Sequence, residues 1–599
     1  MRLSLLDWSV IAAYFLFNLG IGLYYARRAR GSTSEFFLSG RNVPWWLAGT
    51  SMVATTFAAD TPLAVTGFVA KNGIAGNWLW WNFVMSGMLT VFLYARLWRR
   101  AGVMTDIEFA ELRYSGKPAA FLRGFRALYL GLPINCIILG WVNLAMVKIL
   151  EITLGVSKTG AITIVIGMLL FTAFYTAISG LWGVLVTDLF QFALKMAMVI
   201  ILAILAVNAV GGIDSLKTKI AAMDAGSGSR LAFFPEFDSV WMPAITLFVY
   251  LGVIWWSTWY PGAEPGGGGY VAQRIFSAKN EKHGLLATLW FNIAHYALRP
   301  WPWILTALAS LILYPTLVDK ESGYIKTLID PNVFPTYLRG FMLAAFAAAY
   351  MSTIGTQLNW GASYVINDFY RRFVKRSAGE KHYVIASQIV TVLLMIASLI
   401  VTFNMESIGG AWKLLLVTGA GTGTVLLLRW FWWRINAWSE VSAMITAAAV
   451  SIFLQKVLRW DSDRPRDFAY IMLVTVGITT VVWIAVTMFT RAEPVEKLVA
   501  FYRRVQPEGP GWNVIAAEAG LSASHAQGSL SLQFVNWILG CALIYGSLFG
   551  IGKLIFKEWA TAAIFLAVAI AAGVLISRNL SRGEMAVEPL RLEHAEESV

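Results

Sequence analysis

Cysteine, histidine and charged residues are all scarce in this 599-residue sequence. It has two cysteines and five histidines, and 14% of its residues are charged against 58% that are hydrophobic. Both cysteines, Cys136 and Cys541, fall inside apolar runs, so we predict neither a disulfide framework nor a metal cluster. A soluble protein of this length would divide into domains with charged surfaces, and the low charge content excludes that class.

Long apolar runs make up most of the chain. We count about fifteen runs of roughly 18 to 30 residues, the length at which a helix crosses a bilayer. The sequence therefore predicts an all-α polytopic membrane protein with about fifteen transmembrane helices. The predicted spans are 8–26, 45–70, 77–98, 126–150, 160–180, 184–210, 241–262, 286–313, 338–366, 383–403, 411–431, 437–457, 468–489, 531–550 and 558–577. The charged tail beyond the last span is predicted to be disordered.

The net charge of +13 arises from basic clusters in alternate loops between the runs. Residues 27–30 and 371–376 are two such clusters, whereas the loop at 461–467 is mixed or acidic. The positive-inside rule then predicts an N-terminus outside and a C-terminus in the cytoplasm, in a plasma (inner) membrane. The first run is too long for the core of a signal peptide and is interpreted as a retained helix. The charge thus indicates membrane orientation and no nucleic-acid partner.

Two predicted spans carry helix-breaking residues at membrane depth. The second contains Asp60 and Pro62, and the seventh contains the glycine run 266–269. Proline removes a backbone donor, and consecutive glycines do not sustain a continuous helix. Taken singly, Pro62 could be a simple kink and the glycine run a loop just beyond the membrane. Because the breaks lie five spans apart, together they predict an inverted-repeat transporter with its site at the breaks.

Polar side chains inside apolar spans supply candidate cation ligands. Ser352 and Thr353 place two hydroxyls side by side, and hydroxyl and carbonyl oxygens are ligands for a small hard cation. Alternatively, both hydroxyls bond back to carbonyls one turn earlier. Asp188 also lies in an apolar run, where it either faces a polar cavity or partner or is solvated near its helix end.

Six short segments share their order and spacing with the members of one transporter family. They are Ser39–Trp46, Gly49–Phe57, Arg100–Glu108, Tyr175–Gln191, Gln273–Asn280 and Trp433–Asn436. In these segments the chain resembles the sodium:solute symporter family, which includes sodium-coupled sugar, proline and sialic acid carriers.

The resemblance implies a LeuT-like fold. Its core has five plus five helices related by inversion, with one helix before the core and about four after it. The implied domains are an N-terminal helix and basic loop at 1–40, the transport core at 41–435, further transmembrane helices with a cytoplasmic loop 490–530 at 436–578, and a cytoplasmic tail at 579–599.

The resemblance also implies that sodium is co-transported and binds between the first and eighth core helices. Carried over by motif, the sodium ligands would be the backbone carbonyls of Ala54, Phe57 and Ala349 with the hydroxyls of Ser352 and Thr353. Asp188 matches an acidic residue that is associated with cation handling in the family.

Solute contacts in the family come from the first broken helix and from the sixth, seventh and tenth core helices. The residues that these positions imply here are Asp60, Thr61, Tyr270, Arg299 and Trp412. The sugar-binding pattern is not intact, because the glycine run and Trp412 stand at two of its polar positions. Asp60 and Arg299 could together bind a zwitterion, or a solute that carries hydroxyls and a carboxylate. Alternatively, they pair with each other or with protein groups and leave a tryptophan-lined pocket for a neutral sugar or polyol.

The predicted function is a sodium-coupled secondary active symporter that imports a small polar organic solute, favouring a sugar or polyol-like compound. A sodium-coupled amino acid or carboxylate symporter is the alternative. A membrane enzyme using Asp60, Glu264 and His295 is disfavoured, since the sequence has neither metal-ligand spacing nor a nucleophile motif. A sensor would need a signalling domain, for which the loops leave no room. The implied partners are the solute and the bilayer, with no obligate protein partner.

Overall fold

The described part of the chain is helical. The computed structural model describes residues 3–224, 229–237, 239–258, 265–405, 412, 415–521 and 530–596, and it describes side chains as far as Ser581. Within these ranges the β-type contacts are two isolated bridges, Val43 with Ala278 and Thr258 with Ala420. The predicted fold class is therefore confirmed at the level of an all-α protein.

Ten helices in the described part are long and apolar enough to cross a membrane. They are Leu5–Ala29, Ile74–Ala101, Gly116–Leu154, Lys158–Ala209, Thr336–Val374, Glu380–Phe403, Ala437–Val457, Pro465–Phe489, Leu530–Ile555 and Trp559–Ser581. A bent pair, Trp45–Thr56 with Thr61–Asn72, makes an eleventh span. Shorter helices include Thr33–Leu38, Phe109–Arg113, Gly212–Met223, Ala244–Ser257, Gly269–Ser277, Glu281–Asn292, Pro300–Leu313, Gly323–Ile329, Thr422–Leu428, Val495–Val505 and Asn513–Glu518.

The difference between these spans and the expected fifteen has local causes. The spans predicted at 160–180 and 184–210 fall in one stretch, Lys158–Ala209, which we call the long helix. The span predicted at 286–313 is divided at Pro300, where a new helix begins. The count of fifteen stays a prediction. The last helix continues to Glu596, because the predicted disordered tail is rich in helix-forming residues.

Gly180 interrupts the long helix. Its backbone has φ 57° and ψ −156°, a conformation that is essentially restricted to glycine. A Cβ atom at this position would lie 2.7 Å from the carbonyl oxygen of Phe36. The close approach of another helix therefore also requires glycine, and the long helix consists of two segments that meet at this residue.

The first predicted break is present in what we call the first broken helix. Its segments, Trp45–Thr56 and Thr61–Asn72, are bent by 59°. Pro62 lies in the first turn of the second segment, where a missing N–H costs no helical hydrogen bond. Phe57, at the end of the first segment, leaves the helical conformation with φ −91° and ψ 67°, so the structure has a break here and not a simple proline kink.

The glycine run lies in a second break. It joins Ala244–Ser257 to the helix Gly269–Ser277, and residues 265–270 are buried. Gly266 and Gly267 have φ of 81° and 82°, and the indole nitrogen of Trp98 donates to the Gly266 carbonyl at 2.7 Å. The glycine run is therefore packed inside the protein, and its placement in the sixth core helix stays a prediction. Residues 259–264, including Glu264, lie outside the described part of the chain.

The core of the bundle is the helix Arg339–Ser363, which we call the central helix. It belongs to the span Thr336–Val374. In the apolar stretch of that span 94% of the residues are buried inside the protein, whereas in the apolar stretch of Leu5–Ala29 17% are buried. Its run of alanines and glycines allows neighbouring helices to approach closely. The central helix packs against the long helix and the first broken helix, and this brings Ser352 and Thr353 to the break.

Candidate cation and solute site

Thr353 joins the central helix to the first broken helix. Its hydroxyl donates to the carbonyl oxygen of Thr55 at 2.8 Å and to that of Ala349, one turn earlier, at 3.2 Å. The hydroxyl therefore both bonds back along its own helix and crosses to the break. This contact sets two of the predicted sodium ligands, Thr353 and Ala349, against the break in the first broken helix.

The Asp188 carboxylate accepts hydrogen bonds from hydroxyl groups on two different helices. Ser352 donates to one carboxylate oxygen at 2.7 Å, and Ser51 donates to the other at 2.5 Å. The guanidinium of Arg274 donates to Ser51 at 3.1 Å and lies 4.0 Å from the Asp188 carboxylate. Asp188 is fully buried, so the alternative of a solvated helix end is wrong.

Lys195 reaches the carbonyl oxygens of the break. Its ammonium donates to Ala54 at 2.8 Å and to Phe57 at 3.2 Å, and it lies 5.0 Å from the centre of the Phe57 ring. The side chain is 1% exposed. Two of the five predicted sodium ligands are thus bonded to a cationic side chain.

The predicted sodium ligands have the chemistry of a monovalent cation site, with three carbonyl and two hydroxyl oxygens. In this structure, however, each of them bonds to another protein group. Lys195 bonds to the carbonyls of Ala54 and Phe57, Thr353 bonds to the carbonyl of Ala349, and Ser352 bonds to Asp188. A sodium ion would fit this set only after Lys195 had withdrawn.

A cavity of about 130 Å³ adjoins the break. All five residues predicted to contact solute line it, namely Asp60, Thr61, Tyr270, Arg299 and Trp412. Thr353 lines the same cavity, so one wall is shared between the cation ligands and the solute residues. The rings of Trp141 and Trp412 lie 6.0 Å apart on the aromatic side. This volume is below the roughly 300 to 1,000 Å³ of typical ligand pockets, so the cavity as it stands suits only a small solute.

Arg299 is held by protein groups on the cavity wall. Its guanidinium donates to the Thr56 hydroxyl at 3.0 Å, lies 3.1 Å from a ring nitrogen of His295, and lies 5.1 Å from the Trp303 ring centre. His295 also bonds to Thr56, at 2.8 Å. His295 thus bonds to protein groups on both sides of its ring.

Asp60 and Arg299 do not pair with each other. No ion pair joins them among the residues that the structure describes. Asp60 is 1% exposed, and one of its carboxylate oxygens lacks a hydrogen-bond partner within the described chain. A buried carboxylate oxygen without a donor is costly, so it is suited to accept a hydrogen bond from a solute in the cavity.

His295 lies in a widened turn just before Pro300. Residues Ile293–Leu298 form a widened turn, in which the N–H of Arg299 bonds to the carbonyl oxygen of Ala294 at 3.2 Å. Pro300 follows and begins the next helix without an N–H to donate. Such widened turns often occur at functional sites, and this one brings Arg299 to the cavity.

The amino-acid sequence also matches the model of one transporter family. The model for the sodium:solute symporter family matches residues 36–447, well over half of the chain. The chain belongs to this family. The resemblance seen in the sequence is therefore confirmed, and the ion that this family couples to solute movement is sodium.

Curated relatives are transporters for sugars and polyols. The chain is 24% identical over 479 residues to a sodium/glucose cotransporter of Vibrio parahaemolyticus, covering 76% of this chain and 86% of that protein. It is 26% identical over 472 residues to sodium/glucose cotransporter 1 of Oryctolagus cuniculus, covering 72% and 69%. It is 22% identical over 597 residues to sodium/myo-inositol cotransporter 2 of Homo sapiens, covering 88% and 85%.

A solved structure shares the fold. The chain superposes on a Na⁺-coupled sialic acid symporter, in its substrate-bound outward-open state, with a TM-score of 0.66 and 20% identity. The match covers 82% of this chain and 99% of that one. The architecture of a known symporter is thus present here, while the five-plus-five repeat pattern stays a prediction.

Sequence reasoning missed three residues of this family member's site, Lys195, Ser51 and Arg274. Arg274 belongs to the segment Gln273–Asn280, for which the sequence predicts no site role, yet its guanidinium donates to Ser51 at 3.1 Å and to Thr356 at 2.8 Å. A signal for Lys195 was present in the sequence. It lies seven residues after Asp188 in the same apolar run, and a separation of seven residues puts both on one helix face.

Proposed function

We propose that this protein is a sodium-coupled secondary active symporter that imports a small polar organic solute, favouring a sugar or polyol-like compound. The observation that carries the proposal is the wall shared between the predicted sodium ligands and the cavity. Thr353 bonds to the break of the first broken helix and also lines the cavity. An ion at the break and a solute in the cavity would therefore both contact Thr353, so that binding of one would affect binding of the other.

Coupling follows from this shared wall by linkage. If sodium favours the arrangement of the break in which the cavity is complete, sodium raises the affinity for solute, and solute raises that for sodium by the same factor. A membrane potential of 100 mV, negative inside, contributes about 2.3 kcal/mol for each charge that crosses the full field. A gradient of sodium and potential can thereby drive accumulation of a neutral solute.

The walls of the cavity favour a neutral polyhydroxylated solute. Trp80, Trp141 and Trp412 offer apolar faces, and Asp60 offers a carboxylate oxygen to a hydroxyl donor. Arg299 bonds to Thr56 and packs against aromatic rings, while its Nε–H lacks a partner within the described chain and could donate to a solute hydroxyl. An amino acid or carboxylate, held between Asp60 and Arg299, is the second candidate because both residues line the cavity.

We further propose the topology and domain division that the sequence predicts. The N-terminus would lie outside and the C-terminus in the cytoplasm, with the transport core at 41–435. The relatives are transporters, and we propose transport without an enzymatic activity.

Uptake into proteoliposomes tests the function. The full-length protein would be offered labelled sugars, polyols, amino acids and carboxylates under an inward sodium gradient, with a matched potassium gradient as the control. We expect sodium-dependent accumulation of one sugar or polyol. Accumulation of an amino acid or carboxylate would support the second candidate, and equal uptake in both gradients would reject sodium coupling.

A further inference from the structure

We propose that the ammonium group of Lys195 is a tethered cation that competes with sodium for the carbonyl oxygens of Ala54 and Phe57. The inference rests on the proposed sodium coupling and adds a specific residue that controls occupancy of the ion site. It gives Lys195, to which the sequence assigned no role, a function at two of the predicted sodium ligands.

The geometry is that of a cation site already bonded to a side chain. Lys195 donates to Ala54 at 2.8 Å and to Phe57 at 3.2 Å. These carbonyls lie at the C-terminal end of the segment Trp45–Thr56, where the helix dipole is negative and attracts a cation. The Phe57 ring adds a cation–π contact at 5.0 Å. An ammonium and a sodium ion would use the same carbonyl lone pairs and cannot both occupy this position.

The charges around the site also oppose joint occupancy. Two acids, Asp60 and Asp188, and three bases, Lys195, Arg274 and Arg299, are buried around the break. Asp188 and Arg299 are the charged groups that act most strongly on Lys195. With these five groups charged, the cluster has an excess of one positive charge. A sodium ion placed beside Lys195 would increase that excess in a low-dielectric interior, where like charges repel strongly.

Withdrawal of Lys195 therefore has to precede or accompany sodium binding at these carbonyls. The apparent affinity for an ion is reduced by the fraction of molecules in which the site is open to it. Since Lys195 closes the site by bonding to it, the chain sets its own sodium affinity through this residue. Ser352, which donates to Asp188 at 2.7 Å, would have to turn its lone pairs to the ion at the same time.

Sodium-dependent thermal stability of the purified full-length protein tests the competition. Unfolding would be followed by intrinsic tryptophan fluorescence over a series of NaCl concentrations, with KCl keeping the total salt constant. In Lys195→Met, which keeps an unbranched side chain one atom shorter and removes the charge, we expect the half-maximal sodium concentration to fall by about tenfold or more. A half-maximal concentration that is equal to or higher than that of the unmodified protein would overturn the proposal.

Two further variants separate competition from general effects. Lys217 is a matched control, because its ammonium donates to the carbonyl oxygen of Phe556 at 2.9 Å, at a contact unrelated to the break. Lys217→Met should leave the sodium response unchanged. Adding Ser352→Ala to Lys195→Met should abolish the gained response. If Lys195→Met elutes as an aggregate in size-exclusion chromatography, Lys195→Gln takes its place with the same expected direction.

Failure of this proposal and failure of the proposed function give different results. Sodium-driven uptake by the unmodified protein together with an unaltered sodium response in Lys195→Met would reject the competition alone. Absence of a sodium response in both proteins would likewise overturn the competition, while the uptake assay decides independently whether transport is coupled to sodium.

Discussion

The hydroxyls of Ser352 and Thr353 serve different partners although they are adjacent in the sequence. Thr353 bonds to the first broken helix and to its own helix, whereas Ser352 bonds to Asp188 on the long helix. Neighbouring positions on a helix point in directions about 100° apart, so one pair of residues contacts two helices. Loss of either hydroxyl removes one oxygen from the predicted sodium ligands.

Removing these hydroxyls is expected to weaken sodium dependence specifically. In Ser352→Ala and Thr353→Ala, the sodium concentration that gives half-maximal uptake should rise by about tenfold, which corresponds to about 1.4 kcal/mol of lost ion binding. Ser363→Ala is the control, because Ser363 is a buried hydroxyl on the same helix that bonds only to Trp360 among the described residues. Normal sodium dependence in both variants would reject the proposed ligand set.

Asp60 allows solute binding to be separated from ion binding. Asp60→Asn keeps the shape and removes the charge, so the apparent affinity for solute should fall while the half-maximal sodium concentration changes less. Competition by unlabelled solute and sodium titration, performed on the same vesicles, measure both quantities. A parallel loss of protein from the membrane fraction would instead identify Asp60 as a structural residue.

The candidate site residues that stand out in the sequence share one property. Asp60 and Ser352 are polar groups in apolar runs or next to a helix break, where the cost of burial makes them conspicuous. The same reasoning extends to Lys195, but its partners are backbone carbonyls of a helix about 140 residues away in the sequence. Every residue type has a backbone carbonyl, so the sequence does not mark this acceptor. The contact is therefore seen only in the packed structure.

Among the elements, the long helix depends on glycine at one position. Gly180→Ala would force a side chain into φ 57° and place its Cβ 2.7 Å from the Phe36 carbonyl oxygen. Such a conformation costs about 1 to 3 kcal/mol for a residue other than glycine. We expect a lower unfolding temperature in a thermal scan of the purified protein.

Gly167 provides the matched control in the same helix. It is exposed, and a Cβ atom added there meets nothing within 4 Å. Gly167→Ala should leave the unfolding temperature unchanged or raise it slightly, because alanine favours the helix by up to about 1 kcal/mol. Equal destabilisation by both substitutions would show that the bend at Gly180 has no special requirement for glycine.

Element positions were predictable where periodicity and breakers agree. Pro62 and the glycine run marked both breaks, because each interrupts an otherwise apolar run. The division at Pro300 was less predictable, since the widened turn before it depends on how His295 and Arg299 bond to Thr56. Exact helix ends and the continuity of the long helix depend on packing against other helices, which sequence patterns describe poorly.

At the scale of the whole molecule, a polar network joins the short helix Phe109–Arg113 to the end of the span Thr336–Val374. Arg123 bonds to Glu111 and to Asp368, each at 2.8 Å, and Arg372 bonds to Glu111 at 2.9 Å. The network lies among the basic segments that are predicted to be cytoplasmic. It ties together helices that also contribute to the central bundle.

Acidification should weaken this network. Burial opposes ionisation of Glu111, but hydrogen bonds and charges from Arg372 and Arg123 outweigh it and hold its pKa below the ordinary value of 4.5. A carboxylate with a lowered pKa stabilises the fold above pH 4.5, and this stabilisation is lost as the pH falls through the lowered pKa. The unfolding temperature should therefore drop on acidification.

The contribution of Glu111 to that drop can be isolated. In Glu111→Gln, the difference in unfolding temperature between pH 7 and the acid end of the scan should be smaller than in the unmodified protein. Glu518→Gln, which replaces an exposed acid in the helix Asn513–Glu518, should retain the full difference. Identical acid sensitivity in all three proteins would contradict the role of Glu111.

The hydrogen bonds of Lys195 also have a consequence for the return step of a transport cycle. A carrier that has released its cargo inside the cell must come back with both binding sites empty. Backbone acceptors at a helix break are costly to leave unsatisfied when water is excluded. The Ala54 carbonyl also accepts the N–H of Phe57, whereas the ammonium of Lys195 would satisfy the Phe57 carbonyl from within the protein. The unloaded carrier would then change conformation without a bound sodium ion. Entry of sodium without solute would be less frequent.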